Sequence, residues 1–292
     1  MRLKSFWRYG TFFLKRFYET NMLGVPLLSK RRQKWIVALH RKKMRQIHQA
    51  FLAEGPLLIQ AALKLHRYPQ LVVISPKFSD KHSLLPLLQQ QNIPLFSTAN
   101  SKQFEQLANT QTPQGILGVF SLARSPFSQL LKTTPPAVLL LDRIQDPGNL
   151  GTLLRTAWAL GFQGAILCKG CVDAFQPKTV RASMGAVFAL TIIQIETLEE
   201  TIPSLKQQDY LLATSQIQGG IPPEQLPSAH RYALLLGNEK QGVRPSLASL
   251  CDISLTIPQQ KEADSLNVAS AASILMYFMA NKIKNTSLLS NL

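Results

Sequence analysis

The stretch that decides the fold is "DRIQDPGNLGTLLRTAWALGF", residues 142–162. It follows an apolar run and begins with a Pro-Gly turn, so it predicts a strand, a turn and a helix in succession. Gly161 is well placed to end that helix. The glycine spacing fits neither G-x-G-x-x-G nor a Walker loop, and no lysine follows the turn. The apolar face of the helix has the i, i+3, i+4, i+7 spacing and consists of Leu150, Leu153, Leu154 and Ala157.

The opposite side of this helix is polar and carries one arginine, Arg155, between Thr152 and Thr156. Asn149 is the expected N-cap, because its side-chain oxygen can accept a backbone N–H of the first turn. An arginine near the carboxyl edge of a parallel sheet is suited to meet an anion or a developing negative charge. The alternative interpretation of Arg155 is an ordinary exposed surface arginine.

The pattern around this helix predicts an α/β domain with a mostly parallel sheet over residues 137–292. Several of the predicted strands are continuous apolar runs, which is typical of strands that are covered on both faces. The strand candidates are 137–144, 164–168, 190–195, 210–214, 231–237 and 252–258.

Residues 28–124 predict a second, smaller α/β domain. Its first part, residues 29–64, has helical periodicity with a dense basic face. Short apolar runs at 71–75, 93–97 and 115–122 predict strands. The proline-containing residues 125–136 are expected to be a linker. Residues 1–27 form a basic extension without an assignment.

The charge of the chain is concentrated in its first half. The net charge is +16, and residues 1–136 hold 20 Lys and Arg against 4 Asp and Glu, whereas residues 137–292 hold 12 of each kind. Residues 1–50 alone hold 13 basic residues and a single acid, Glu19. Such an uneven distribution predicts a polyanionic partner, either a nucleic acid or an anionic membrane surface. The alternative is a merely solvated basic face.

Length and cysteine content limit the class of protein. The 292 residues suffice for one large or two ordinary domains, and no apolar run reaches the roughly 18 residues of a membrane span. Three cysteines argue against a disulfide framework, so we expect a cytoplasmic protein. Residues 1–21 lack the form of a secretory signal. They leave open an organellar transit peptide or an upstream start codon with Met22 as the working start.

Two further loops follow predicted strands. In "LLLGNEKQGV", residues 234–243, Gly237 ends a strand and permits close approach of the backbone to a ligand. Glu239, two residues later, is a candidate partner for Arg155. In "LTIPQQKEADSLNVASAASILMY", residues 255–277, a polar loop precedes a helix that Ser265 or Asn267 is expected to cap.

Together these loops resemble a known family. N-x-G-x-x-x-R-T-A, L-L-L-G-N-E-x-x-G and I-P-x-x-x-x-x-x-S-L-N-V-A, in this order, are similar to the three motifs of the SpoU/TrmH family of RNA ribose 2′-O-methyltransferases. Residues 172–188 also resemble the family, and the resemblance spans residues 137–281. Residues 28–124 more loosely resemble its L30e-like RNA substrate-binding domain.

The resemblance implies a SPOUT-like domain with a C-terminal trefoil knot and a homodimer that binds S-adenosyl-L-methionine (AdoMet) at its interface. It implies methyl transfer to a ribose 2′-hydroxyl of ribosomal or transfer RNA. The chain departs from the family at Lys261, where a glycine is usual, which puts the shape of the knot loop in question. The implied catalytic residues are Arg155, Asn149, Glu239, Ser265 and Asn267. The implied cofactor-binding residues are Thr214, Gly237, Ile257 and Leu266.

Other interpretations stay open at this point. A non-catalytic RNA-binding protein would keep the basic domain and use the second only to dimerise, but it has no need for all five catalytic candidates. An oxidoreductase would require the missing G-x-G-x-x-G. Cys168 and Cys171 form a C-x-x-C that is either incidental or a redox dithiol, and it lacks a second ligand pair for zinc. No metal and no membrane partner are predicted.

Overall fold

Two β-sheets, each packed against helices, organise the chain. The computed structural model of the protein describes residues 24–122, 125–260 and 265–289, with side chains to residue 283. The first sheet has the strand order β1-β4-β2-β3, in which β4 is antiparallel to both neighbours and β2 and β3 are parallel. The elements around it are α1 Lys30–Ala38, α2 Lys42–His48, β1 Ala50–Glu54, α3 Pro56–Lys64, β2 Leu71–Ile74, α4 Leu84–Gln90, β3 Leu95–Ser97, α5 Ser101–Glu105 and β4 Ile116–Ser121.

Strand β1 was not predicted. The helical periodicity before it continues through its apolar residues, and a short buried strand cannot be separated from a buried helix by periodicity alone. Helix α2 ends at His48, the following Gln49 has a φ of 46° in the left-handed region, and the chain then extends to pair with β4.

The second sheet has six strands in the order β10-β8-β9-β5-β6-β7, and every neighbouring pair is parallel. All six predicted strands are present, so the predicted mostly parallel α/β fold is confirmed. Its elements are α6 Phe127–Thr133, β5 Ala137–Leu141, α7 Pro147–Ala159, β6 Gly164–Cys168, α8 Pro177–Ala182, α9 Ala186–Ala189, β7 Thr191–Ile195, α10 Ile202–Lys206, β8 Tyr210–Ser215, a 3-10 turn Pro223–Gln225, β9 Arg231–Leu236, α11 Pro245–Ala248, β10 Ile253–Leu255 and α12 Val268–Leu289.

Helix α7 is held by its predicted apolar stripe, whose four residues are fully buried. Gly161 follows the last helical turn with a φ of 86°, as expected for a helix-ending glycine. Gly151 has a different purpose: a Cβ atom there would overlap Ala182 of α8. The second glycine of the opening turn therefore lets α8 pack closely on α7.

The segment predicted as a linker contains helix α6. Leu130 of this helix is buried in the core of the second sheet and lies where a side chain at Gly164 of β6 would otherwise project. The connection between the two sheets is thus part of the second core.

The two sheets share one hydrophobic core through four phenylalanines. Phe51 and Phe120 belong to the first sheet, and Phe175 and Phe188 follow β6 and α8 in the second unit. Their ring centroids are 4.7 to 5.8 Å apart in four contacting pairs. Aromatic pairs at such separations contribute about 0.5–1.5 kcal/mol beyond their buried area. This packing fixes the first domain on the second.

A buried ion pair accompanies the aromatic contacts. Arg45 of α2 donates from Nε and Nη2 to Asp173 Oδ2, at 3.1 and 2.5 Å. Its Nη1 also donates to the carbonyls of Leu39 and His40. The guanidinium is therefore satisfied although Arg45 is only 2% exposed, and removing Asp173 would leave a buried charge without its counter-ion.

Within the described ranges, no helix is long and apolar enough to cross a membrane.

We predict that Gly185→Ala destabilises the protein more than Gly161→Ala. Both glycines have positive φ, 100° and 86°, so both substitutions carry similar backbone strain. At Gly185 the new Cβ would also lie 2.8 Å from Ala61 Cβ of the first domain, whereas nothing lies within 4 Å at Gly161. The additional loss in the free energy of unfolding should be about 1–3 kcal/mol, measured by urea denaturation. Equal losses would contradict tight packing between the domains at this point.

Candidate active site

A cavity of about 250 Å³ lies at the carboxyl ends of β8, β9 and β10. Because all strands of this sheet are parallel, the loops that follow them meet at one edge, where ligands bind in open α/β folds. Five of the nine predicted site residues line the cavity: Gly237, Glu239, Ile257, Ser265 and Leu266.

The three predicted loops meet beside this cavity through a chain of hydrogen bonds. Asn149 Nδ2 donates to Glu239 Oε1 at 3.1 Å, and Asn267 Nδ2 donates to Asn149 Oδ1 at 3.1 Å. Asn149 thus links the loop after β5 with the loop after β9 and the start of α12. The structure brings Asn149, Glu239 and Asn267 together.

The N-cap of α7 is Asp146, so the prediction of Asn149 for this position is wrong. The Asp146 carboxylate accepts the backbone N–H of Asn149 at 2.7 Å. This hydrogen bond, more than the nearby Lys178, lowers the pKa of Asp146. With the cap supplied by Asp146, the amide of Asn149 is left for its contacts with the other two loops.

At the start of α12, Asn267 is the capping residue. Its Oδ1 accepts from the backbone N–H of Ala269 at 2.9 Å and of Ser270 at 3.4 Å. Ser265, the other candidate, lies on the cavity wall instead. Leu266 N–H donates to the side chain of Gln259 at 3.3 Å, which closes the described part of this loop. Lys261 lies outside the described residues.

Gly237 is required by its own loop. Asn238 and Gly242 exchange two backbone hydrogen bonds, of 3.0 and 2.9 Å, so the loop folds back over the end of β9. A Cβ atom at Gly237 would overlap the backbone of Gly242 and Val243. The close approach that was predicted for a ligand is made first by the protein chain, and Gly237 lines the cavity from beneath that loop.

Arg155 is exposed on α7, and it has no hydrogen-bond or ion-pair partner among the described residues. The suggested pairing with Glu239 is wrong, because Glu239 accepts from Asn149 instead. Nor does Arg155 line the 250 Å³ cavity. The helix itself is tied to α12 by a contact of 3.4 Å between the hydroxyls of Thr156 and Ser273. The Arg155 guanidinium therefore faces outward from a well-fixed helix.

Thr214 lies inside the sheet. It is fully buried, and its hydroxyl donates to the Leu235 carbonyl at 3.4 Å. The cavity is lined instead by Ser215, Gln216 and Ile217, which sequence reasoning missed. Their position directly after a predicted strand was the available signal, since the carboxyl end of such a strand faces the ligand crevice.

A buried charge cluster supports the loops from below. Asp142 is fully buried and accepts from Arg244 Nε at 3.0 Å and from the Arg244 backbone N–H at 3.2 Å. Burial disfavours the charged guanidinium, but its nearby anionic groups, chiefly the Asp142 and Glu199 carboxylates, together outweigh burial and raise the pKa of Arg244. The carbonyl of Arg143 accepts from Asn238 Nδ2 at 3.0 Å, which ties this cluster to the loop over Gly237.

The C-x-x-C adjoins the same cluster. A hydrogen bond with Cys171 lowers the pKa of Cys168, and the same contact together with burial raises the pKa of Cys171. Cys168 Sγ donates to Asp142 Oδ1 at 3.3 Å, and Cys171 Sγ donates to the Leu141 carbonyl at 3.2 Å. No group of three or more metal-ligating side chains occurs in the parts of the chain that the structure describes. The two thiols stand behind the first loop, away from the cavity walls.

Comparisons with known proteins agree with this arrangement of loops. A family model described as the SpoU rRNA methylase family matches residues 136–277, and a model of the MRM3-like substrate binding domain matches residues 30–118. The first covers the second sheet with its three loops, and the second covers most of the first domain.

Individual relatives match both domains together. The 23S rRNA (guanosine(2553)-2′-O)-methyltransferase RlmP of Bacillus subtilis is 33% identical over 241 residues, covering 82% of this chain and 92% of the relative. Human mitochondrial rRNA methyltransferase 3 is 29% identical, with coverage of 81% and 68%. The crystal structure of an AdoMet-bound rRNA methyltransferase from Sinorhizobium meliloti is 30% identical, with a TM-score of 0.75 and coverage of 90% and 97%.

These matches confirm the resemblance drawn from the three motifs, and a knotted SPOUT-like domain fits them. The chain belongs to the SpoU rRNA methylase family.

Proposed function

We propose that this protein is an AdoMet-dependent RNA methyltransferase that methylates a ribose 2′-hydroxyl of ribosomal RNA. The observation that carries the proposal is the hydrogen-bonded junction of Asn149, Glu239 and Asn267 beside the 250 Å³ cavity. The relatives support it, since RlmP is named as a 23S rRNA 2′-O-methyltransferase and the Sinorhizobium structure contains AdoMet. Mapping 2′-O-methyl groups in total RNA from cells with and without the gene tests it. If cells without the gene keep every 2′-O-methyl group, this result contradicts the proposal.

The cavity fits the cofactor in its chemistry. Ile217, Ile257 and Leu266 provide apolar walls, and Glu239 and Ser265 provide polar groups at the same cavity. This combination suits a nucleoside with a charged tail, because such sites are mostly apolar with a few placed polar groups. When bound, AdoMet supplies an activated methyl group on a sulfonium.

Arg155 is proposed to act electrostatically on the RNA. A guanidinium is essentially never deprotonated in proteins, so a general base is a poor role for it. Its planar fork suits a phosphate or an oxygen that gains negative charge as its proton leaves. The outward orientation of Arg155 and its lack of a partner in the described chain support this role. A 2′-hydroxyl target also explains a choice of RNA over DNA.

A homodimer is part of the proposal. Arg155 stands outside the cavity of its own chain, and α12 exposes Ile274 and Tyr277, 37% and 55% of whose surfaces are accessible. A second copy packed on α7 and α12 would cover these apolar side chains and complete the site at the interface.

Placement in the cytoplasm stays a prediction, because residues 1–21 lie outside the described part of the chain.

We predict that Arg155→Ala lowers methyl transfer roughly a hundredfold or more and leaves AdoMet affinity within a few-fold of the parent, since removal of one preorganised charge donor has about this effect. Arg155→Lys should recover little, because a point charge cannot replace the planar fork. The control is Lys132→Ala, an exposed cation at the opposite edge of the sheet. Rates come from radiolabelled AdoMet and affinities from calorimetry. Parental activity of Arg155→Ala would show that the arginine is only a surface residue.

A second prediction concerns the loop over Gly237. AdoMet should raise the melting temperature of the parent protein, because a ligand that binds only the native state stabilises it. Gly237→Ala should lose most of this increase, since its Cβ displaces the loop at Gly242 and Val243. The thermal shift with Gly161→Ala, which has no such neighbour, should match the parent. A full shift with Gly237→Ala would separate the loop from cofactor binding.

The first domain should supply most of the RNA affinity. Lys42→Glu/Lys43→Glu on the exposed basic face of α2 should weaken binding to ribosomal RNA and flatten its dependence on salt. The log–log slope should fall by about 0.7 for each single-strand phosphate that the protein no longer neutralises. Lys132→Glu, on α6 near the edge of the second sheet opposite the cavity, is the control, and its effect is compared per reversed charge. Filter binding at about 50 to 300 mM salt, where counterion release changes the affinity strongly, gives both slopes. Unchanged slopes would place the RNA elsewhere.

A further inference from the structure

A second cleft lies where the first domain meets α8. Its cavity measures about 230 Å³, and both domains contribute to its walls. Glu54, Leu57 and Gln114 come from the first domain, and Arg181 and Met184 come from the second. The cofactor cavity uses none of these residues.

Arg181 carries an unused hydrogen-bond donor in this cleft. Its Nη1 is buried and has no hydrogen-bond partner in the described parts of the chain. This nitrogen forms an ion pair with Glu54 Oε2 at 4.0 Å, which is too long for a hydrogen bond. The Glu54 carboxylate already accepts from the Asn109 N–H and the Thr110 hydroxyl. Because buried donors are nearly always satisfied, a guanidinium nitrogen without a hydrogen bond in a cleft indicates a missing acceptor.

Apolar side chains stand exposed beside this arginine. Leu57 is 48% exposed and Met184 is 41% exposed. Met184 also has a φ of 48°, in the left-handed region that a large side chain adopts only at a cost. A charged donor flanked by exposed apolar groups matches an unpaired nucleotide, which offers a phosphate and a base face at once.

The cleft adjoins a cationic region of the first domain and lies near α7. Gln114 also lines a cavity of about 540 Å³ with the cationic Lys77 and Lys81. Trp158 of α7, which is 38% exposed, lies beside Gly185, the residue after Met184, and one helical turn after Arg155. A single RNA strand that contacts the first domain and reaches Arg155 would therefore cross this cleft.

We propose that the cleft binds an unpaired nucleotide of the RNA that neighbours the methylated one, with Arg181 donating to its phosphate and its base against Leu57 and Met184. This rests on the proposed function and deepens it, because it makes Arg181 a positioning residue for the substrate. The cleft then selects RNA whose target lies in a loop or bulge, since a paired strand cannot offer its base to these side chains.

The test compares Arg181→Ala, Arg181→Lys and the control Lys132→Ala. The substrate is ribosomal RNA isolated from cells that lack the gene. Arg181→Ala should raise the KM for this RNA about tenfold or more, because it removes a charge-assisted hydrogen bond, and should leave kcat within about threefold. Arg181→Lys should restore part of the affinity, since a lysine keeps the charge that the phosphate needs. AdoMet affinity should stay parental in all three variants.

A second measurement does not depend on the loss of a side chain. Met184→p-benzoylphenylalanine in the full-length protein should crosslink to the RNA within a few nucleotides of the methylated position. Parental KM in Arg181→Ala, or crosslinks scattered over the RNA, would overturn the proposal while methyl transfer by the parent persists. If Arg181→Ala does not fold, the KM of Arg181→Lys and the crosslink decide. If the parent transfers no methyl group to this RNA, the proposed function itself fails, and this proposal fails with it.

Discussion

The packing of two phenylalanines from each domain against one another is the constraint on which the rest of the arrangement depends. Phe51 and Phe120 meet Phe175 and Phe188 in one core, so the basic first domain is not free to move on a tether. The buried pair of Arg45 and Asp173 adds direction, because a guanidinium fork accepts few orientations. If the first domain binds RNA as proposed, it presents that RNA to the second domain at a fixed distance and angle.

The second sheet could be predicted from sequence because its strands are short continuous apolar runs with helices between them. Parallel order then places every following loop at one edge, which is why three separate motifs could be expected to meet. The hydrogen-bond partners within the site could not be predicted from the sequence. Both Asn149 and Arg155 have side chains that can pair with Glu239, and only the fold shows that Asn149 does so. Thr214 does not line the cavity, whereas its neighbour Ser215 does, because side chains of successive residues in a strand face opposite sides of the sheet.

The first domain shows the limits of periodicity. Strand β1 continues a helical pattern without a break, and what marks its start is the left-handed Gln49, a conformation that no sequence rule assigns to glutamine. The proline-containing segment that was predicted to be a linker forms helix α6, because its Leu130 packs against Gly164, where a side chain would collide with it. Both outcomes are set by tertiary packing, which overrides local preference when buried apolar area is at stake. The shared aromatic core could not be predicted either, because its four phenylalanines lie far apart in the sequence and only tertiary packing brings them together.

Three glycines allow neighbouring parts of the chain to pack closely. Helix α8 packs against Gly151, Ala61 of the first domain packs against Gly185, and the loop of residues 238–242 packs against Gly237. In each case the close neighbour is another part of the protein, so these glycines shape the fold even without a bound ligand. Since Arg155 follows Gly151 by one turn on α7, the approach of α8 also decides what surrounds the arginine. The same close contact that accompanies burial of the leucine stripe of α7 therefore also holds α8 next to the turn of α7 that carries Arg155.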